Sequence, residues 1–127
     1  CERASVAVRQ LTAYLPAETR LSRRLSGCEV LRFFAQLRPG TNPARSLRIA
    51  ERLGLDLKRT VSLMSTGMRQ KTALAAVLGY DTPLVILDEP TASLDPTARS
   101  EVLALVREAR DEGRTVLFSS HVLSEVE

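Results

Sequence analysis

The sequence predicts an α/β protein in which a parallel sheet is combined with a small helical unit, and three observations carry that prediction. Leu84-Val85-Ile86-Leu87 is a continuous apolar run of strand length, the pattern of a parallel strand buried on both faces. Thr115 to Ser119 reads as a second buried strand, and the amphipathic stretch between the two completes a strand, helix, strand crossover unit. Upstream, residues 20–62 place their apolar side chains at helical rather than strand spacing.

The elements follow in order. Leu11 to Leu15 is a short strand-like run stopped by Pro16, and the segment from Ala17 to Leu25, with Arg20, Arg23 and Arg24, reads as a solvated loop. Ser26 opens a helix, because Glu29 stands three residues on as a capping box requires; Val30, Phe33, Phe34 and Leu37 form its apolar face, and Pro39 and Gly40 end it. Asn42 before Pro43 starts another, with Leu47, Ala50 and Leu53 as its stripe and Gly54 as its stop. The next helix begins at Ser65 or Thr66 and runs to Gly79. After the Leu84 strand, Asp95 and Pro96 start a helix with Val102, Leu105, Val106 and Ala109 inward, closed by Gly113.

Composition bounds the function. In 127 residues, 44% hydrophobic, 26% charged and 4% aromatic side chains describe a globular polypeptide of at most one compact domain. No stretch reaches the ~20 apolar residues of a membrane span. Nothing at the start resembles a signal peptide, so a cytoplasmic location is expected. Cys1 and Cys28 have no metal-like spacing, which argues against a zinc site and for a reducing compartment. Residues 1–63 carry 12 basic and 5 acidic side chains and residues 64–127 carry 6 and 10, but the basic residues do not interleave with aromatics, so no nucleic-acid partner is expected. The chain begins with Cys rather than Met and its last residues read as a helix just starting, the expectation for a piece of a longer chain.

The chemistry gathers around Asp88 and Glu89, two carboxylates at the carboxyl end of a buried strand, the edge where open α/β sheets bind ligands. An Asp there can hold Mg²⁺ and an adjacent Glu can polarise a water beside a phosphate; the alternative is that both only cap the turn before Pro90. Met64-Ser65-Thr66-Gly67-Met68-Arg69-Gln70-Lys71 sets hydroxyls and a glycine at a helix start, where free N–H groups and the helix dipole attract phosphate. Ser93-Leu94-Asp95-Pro96 and Ser119-Ser120-His121 follow.

With these motifs in this order, the chain resembles the nucleotide-binding domain of an ABC transporter ATPase: signature motif, Walker B strand ending in Asp-Glu, D-loop, then a histidine after the next strand. The resemblance implies a P-loop NTPase-like parallel sheet, the C-terminal part of such a domain, with residues 20–62 and the signature helix 65–79 as helical subdomain and residues 1–19 and 80–127 in the catalytic core. It implies ATP and Mg²⁺ as ligands, Asp88 as the metal partner, Glu89 as general base and His121 on the γ-phosphate. Ser65, Thr66, Gly67 and Met68 would reach the ATP of an opposing subunit in a head-to-tail dimer of nucleotide-binding domains, with Asp95 coupling the two sites. The intact protein is then expected at the inner face of the membrane, attached through permease subunits.

Three departures qualify the pattern. The signature reads Met-Ser-Thr-Gly-Met where Leu-Ser-Gly-Gly-Gln is commonest, a variant resembling drug, antibiotic and sodium exporters. Ala17 and Glu18 occupy the Q-loop position, so either Glu18 substitutes for the usual glutamine or that contact is missing. None of the six glycines begins a Gly-x₄-Gly-Lys-Ser/Thr loop, so the 127 residues alone are expected to be inactive toward MgATP. Two other readings remain: a soluble ABC ATPase of DNA repair or translation, and a non-catalytic interaction module that keeps the signature face.

Overall fold

The computed structural model describes residues 2–38 and 41–120. Helix α1 (Glu2–Leu11) runs straight into strand β1 (Thr12–Leu15), and α2 (Gly27–Gln36), α3 (Pro43–Arg52) and a single 3₁₀ turn (Val61–Leu63) follow. Helix α4 (Thr66–Leu78), strand β2 (Leu84–Asp88), helix α5 (Pro96–Asp111) and strand β3 (Thr115–Ser119) complete the order. The strands form one parallel sheet in the order β1-β2-β3, with Leu15 opposite Leu87 and Asp88 opposite Ser119. The expected α/β class with a parallel sheet is what the chain adopts.

Capping chemistry explains where the helices begin. Glu29 N donates to Ser26 Oγ at 3.2 Å while Ser26 N donates to Glu29 Oε2 at 2.8 Å, the reciprocal pair of a capping box. Ala44 N donates to Asn42 Oδ1 at 3.0 Å with Pro43 at the first helical position, and Met68 N donates to Ser65 Oγ at 3.1 Å. Helix α3 stops at Gly54, whose φ of +68° only glycine adopts without strain.

Several faces turn otherwise than periodicity predicts. In α2 the buried residues are Gly27, Val30 and Leu31, whereas Phe33 and Leu37 are at least half exposed; the helix ends at Gln36, and Pro39 and Gly40 lie outside the described residues. In α3 and at its C-cap, Ala50 and Leu53 of the expected stripe are buried together with Ser46 and Ile49, and only Leu47 of that stripe faces outward. Strand β2 buries Val85 and Leu87 but leaves Leu84 and Ile86 half-buried, so it is covered on one face among the described residues. The expected second buried strand lies at the edge of the sheet among the described residues, with Thr115, Leu117 and Ser119 exposed. Hydropathy ranks side chains, but only the packed neighbours decide which of two apolar faces turns inward.

Helix α4 is the centre of the packing. From Thr72 to Tyr80 every residue is buried, and the helix lies against α2, α3 and β1. Its far end is held by Arg114, itself 8% exposed, which follows Gly113 at the start of β3. The guanidinium donates to Thr82 O at 2.7 Å, Tyr80 O at 2.8 Å and Leu78 O at 3.4 Å, so a cation sits on the carbonyl end of the helix dipole. Burial pushes the pKa of Arg114 down, with nearby Arg45 acting the same way. Arg38 ties β1 to the same loop, donating to Thr12 O at 2.7 Å while its guanidinium stacks 4.5 Å above the Tyr80 ring.

A second clamp joins α3 to α5. Arg52 donates to both carboxylate oxygens of Glu108 at 2.6 and 2.8 Å and to Glu101 at 2.6 Å, and Arg45 pairs with Glu112. The bond from Arg52 holds the Glu108 carboxyl below its ordinary range. These pairs are largely exposed and fix orientation more than they stabilise.

Removing the Arg114 cation strands three carbonyls that it satisfies. Arg114→Met, which keeps the stem and loses the donors, is expected to lower unfolding free energy by about 2–4 kcal/mol. Urea denaturation measures this; a midpoint equal to wild type contradicts the role given to Arg114.

Candidate functional site

The site is built where β2 ends. Asp88 is the last residue of the strand, opposite Ser119 on β3, and Ser119 Oγ donates to Asp88 Oδ1 at 2.6 Å. The chain then turns sharply. Glu89 N–H points back to β3, at 3.1 Å from Ser119 Oγ and 3.2 Å from Ser119 O, and Glu89 O accepts from Ala92 N at 3.2 Å. Glu89 itself has φ of +51° and Ser93 of +66°. Side chains with a Cβ rarely adopt this left-handed region, at a cost of order 1–3 kcal/mol each, and it persists only where surroundings enforce it.

Helix α4 supplies that enforcement. Gln70, 7% exposed, donates through Nε2 to Pro90 O at 3.1 Å and Glu89 O at 3.4 Å. One turn earlier, Gly67 lies against the loop so closely that a Cβ there would stand 2.9 Å from Ser93 O. Pro90, Thr91 and Leu94 are buried, so the carboxylate turn is anchored on its inner side while Asp88 and Glu89 remain part-exposed.

The residues singled out in the sequence divide accordingly. Asp88 and Glu89 come together at the carboxyl edge of the sheet as expected, beside Ser119. Ser65 and Thr66 are exposed at the α4 N-terminus, Gly67 touches the loop, and Met68 packs partly against the cluster of Val30, Val61 and Met64. The Ser65 hydroxyl accepts from Met68 N and keeps its own proton to donate. Asp95 is exposed at the N-cap of α5 with no side-chain capping bond. His121 lies outside the described residues. Glu18 is exposed on a cleft of 510 Å³ that also meets Arg20, Arg23, Thr66, Gln70 and Ser93.

The donor set fits Mg²⁺ better than an all-protein metal cage. Among the described residues no three His, Cys, Asp or Glu side chains gather as a metal site, whereas Mg²⁺ commonly takes one or two carboxylates and completes its shell with phosphates and waters. Asp88, its oxygen oriented by the Ser119 hydroxyl, is such a single carboxylate with an outer partner. Gln70 and Arg114 were not foreseen as structural residues. Their partners are 19–36 positions away in sequence, beyond the reach of any periodicity argument.

Comparison with known proteins gives the class of the domain. A family model described as "AAA domain, putative AbiEii toxin, Type IV TA system" matches residues 12–127, and the chain belongs to this AAA domain family. Among its relatives are ABC transporter ATP-binding proteins. The chain is 36% identical over 116 residues to the ABC transporter ATP-binding protein NatA of Bacillus subtilis (strain 168), covering 87% of this chain and 47% of that protein. It is 37% identical over 106 residues to the bacitracin transport ATP-binding protein BcrA of Enterococcus faecalis, covering 81% and 34%. A solved ATP-binding subunit of an ABC transporter superposes with a TM-score of 0.85 at 29% identity, covering 97% of this chain and 53% of that one. The chain thus spans about a third to a half of the length of these curated relatives, and the P-loop NTPase-like fold expected from its motifs is the fold of its structural relative.

The contact at Gly67 sets a prediction whose sign is informative. Alanine near an exposed helix start ordinarily stabilises by up to about 1 kcal/mol. Here its methyl meets a backbone carbonyl, a strain of about 1–3 kcal/mol. Gly67→Ala is expected to lower the urea midpoint, and an unchanged or higher midpoint would show that α4 does not rest on the loop.

Proposed function

We propose that the protein of which these residues form part is the ATP-hydrolysing subunit of an ABC transporter, working as an exporter. The observation that carries the reading is the Asp88-Glu89 turn: two carboxylates at the sheet's carboxyl edge, held in a strained conformation from both sides. Such strain is characteristic of sites where a side chain must be aimed rather than merely accommodated. The relatives named as an ABC transporter ATP-binding protein and a bacitracin transport ATP-binding protein support the transport assignment, and the Met-Ser-Thr-Gly-Met signature variant supports export.

In this reading Asp88 is the carboxylate toward Mg²⁺, which when bound neutralises charge on the phosphate oxygens. Glu89 accepts a proton from water and orients it for attack on the γ-phosphate. His121 contacts that phosphate. Ser65 donates its hydroxyl proton, and the first N–H groups of α4, at Thr66 and Gly67, face the phosphate of ATP held by the opposing subunit, where the helix dipole favours negative charge, while the Met68 N–H is taken by Ser65 Oγ and keeps that hydroxyl in place. Asp95, its side chain not spent on capping, acts across the same head-to-tail interface. The α- and β-phosphates need a cradle of backbone N–H groups and a lysine, and the 127 residues contain no Gly-x₄-Gly-Lys-Ser/Thr loop, so the activity is assigned to a protein of the relatives' length. In the same reading the intact protein sits at the inner face of the membrane, attached through permease subunits.

Glu89→Gln in the full-length protein keeps the shape and removes the base. ATP binding is expected to stay within a few-fold of wild type while hydrolysis falls about 10²–10⁴-fold. Equilibrium binding and steady-state turnover read the two effects separately, and near-normal turnover would remove Glu89 from the role of base.

A further inference from the structure

Gln70 has so far only a structural role, as an anchor of the Glu89 turn, yet it is the group that links the two halves of the candidate site. It is a buried amide on the second turn of α4, only a few residues after the Ser65–Met68 segment. Its side chain faces two backbone carbonyls, so its NH₂ end must point at them, since the amide oxygen there would be repelled. One of those carbonyls belongs to Glu89. The peptide flanks of Glu89 are therefore fixed by different elements: its N–H by Ser119 on β3 and its C=O by Gln70 on α4. Between these anchors the residue sits at a φ of +51°, a conformation that relaxes if either anchor is lost.

We propose that Gln70 is a positioning residue for the Glu89 base, transmitting the placement of the α4 N-terminus to the carboxylate within one chain. The inference rests on the ATPase reading. Gln70 touches neither water nor phosphate in this account; it acts by holding the turn from which Glu89 projects. Because a displacement of about 1 Å at a reacting group can cost on the order of 10²-fold in rate, two hydrogen bonds to the adjoining peptides suffice to set turnover without setting ATP affinity. The contact of Gly67 with Ser93 O carries the same helix end onto the next strained residue of the loop, so helix start and loop move as one body.

The test uses steady-state ATPase kinetics of the full-length protein. Gln70→Met keeps volume and burial but has no donor. The expected result is a fall in kcat of about 10–100-fold with KM for ATP within about twofold. A kcat within about threefold of wild type, in a variant that melts normally, would mean that Gln70 only fills space and would overturn the proposal. Should Gln70→Met not fold, Gln70→Glu decides. Its carboxyl donates to a carbonyl only when protonated, so its kcat relative to wild type is expected to rise as pH falls from about 8 to about 6. A ratio independent of pH would overturn the proposal. In the Glu89→Gln background Gln70→Met is expected to have no further effect, because both act on one step; additive losses would contradict action through Glu89. Failure of the underlying reading looks different: wild type would not hydrolyse ATP, or Glu89→Gln would leave the rate intact, and the positioning role would fall with it. If Glu89→Gln abolishes turnover and the Gln70 variants do not alter it, the positioning role alone is wrong.

Discussion

The arrangement depends on one buried helix being tied to the sheet at both ends by side chains that donate to backbone carbonyls. Arg114 holds the C-terminal end of α4 through the carbonyls of Leu78, Tyr80 and Thr82. Gln70 holds the N-terminal end through those of Glu89 and Pro90. A buried donor without an acceptor, or an acceptor without a donor, costs about 1–3 kcal/mol, so each tie is maintained as much by the penalty of breaking it as by its own strength. With both ends fixed, α4 cannot shift along its axis without moving the turn after β2.

That constraint accounts for the strained turn. Glu89 and Ser93 both occupy the left-handed region, and both are touched by the first two turns of α4, Glu89 through Gln70 and Ser93 through the bare Cα of Gly67. A glycine at 67 therefore has a reason inside the chain: a methyl would push against the Ser93 carbonyl. The carboxylate edge is held from the other side by Ser119, which serves Asp88 with its hydroxyl proton and Glu89 with its lone pairs. Several polar bonds of this region hold the backbone that carries the two carboxylates, and both carboxylate residues are part-exposed.

Local chemistry was legible in the sequence wherever a few neighbouring residues decide the outcome. Ser26 with Glu29, Asn42 with Pro43, Ser65 ahead of α4 and Gly54 after α3 all act where their residue types indicate, because capping bonds span two or three positions. The Asp88-Glu89 pair at a strand end was legible for the same reason. Faces were legible in part: Val102, Leu105, Val106 and Ala109 of α5 are buried as their spacing indicates, as are Val30, Ala50 and Leu53, whereas Phe33, Leu37 and Leu47 are as apolar and stay exposed, because the choice among them is made by α4, distant in sequence. Helix α1 left no signal, since Val6 and Val8 are exposed and mark no buried stripe. The continuous apolar run of β2 reads as a strand covered twice, whereas the described residues cover one side and leave Tyr14 and Leu117 of its neighbours open. Gln70 and Arg114 are ordinary polar residues in sequence, and only the fold gives them carbonyls to hold.

The central claim is that nucleotide phosphates and their metal meet this chain at the Asp88-Glu89 turn. It is tested most directly by replacing Mg²⁺ with paramagnetic Mn²⁺ in the full-length protein bound to a non-hydrolysable ATP analogue, and recording which backbone amide signals broaden. The account predicts loss of signal centred on Asp88, Glu89 and Ser119, with the Arg45 to Arg52 face of α3 unaffected. Broadening centred on α3 and α5, or none near the end of β2, would contradict it.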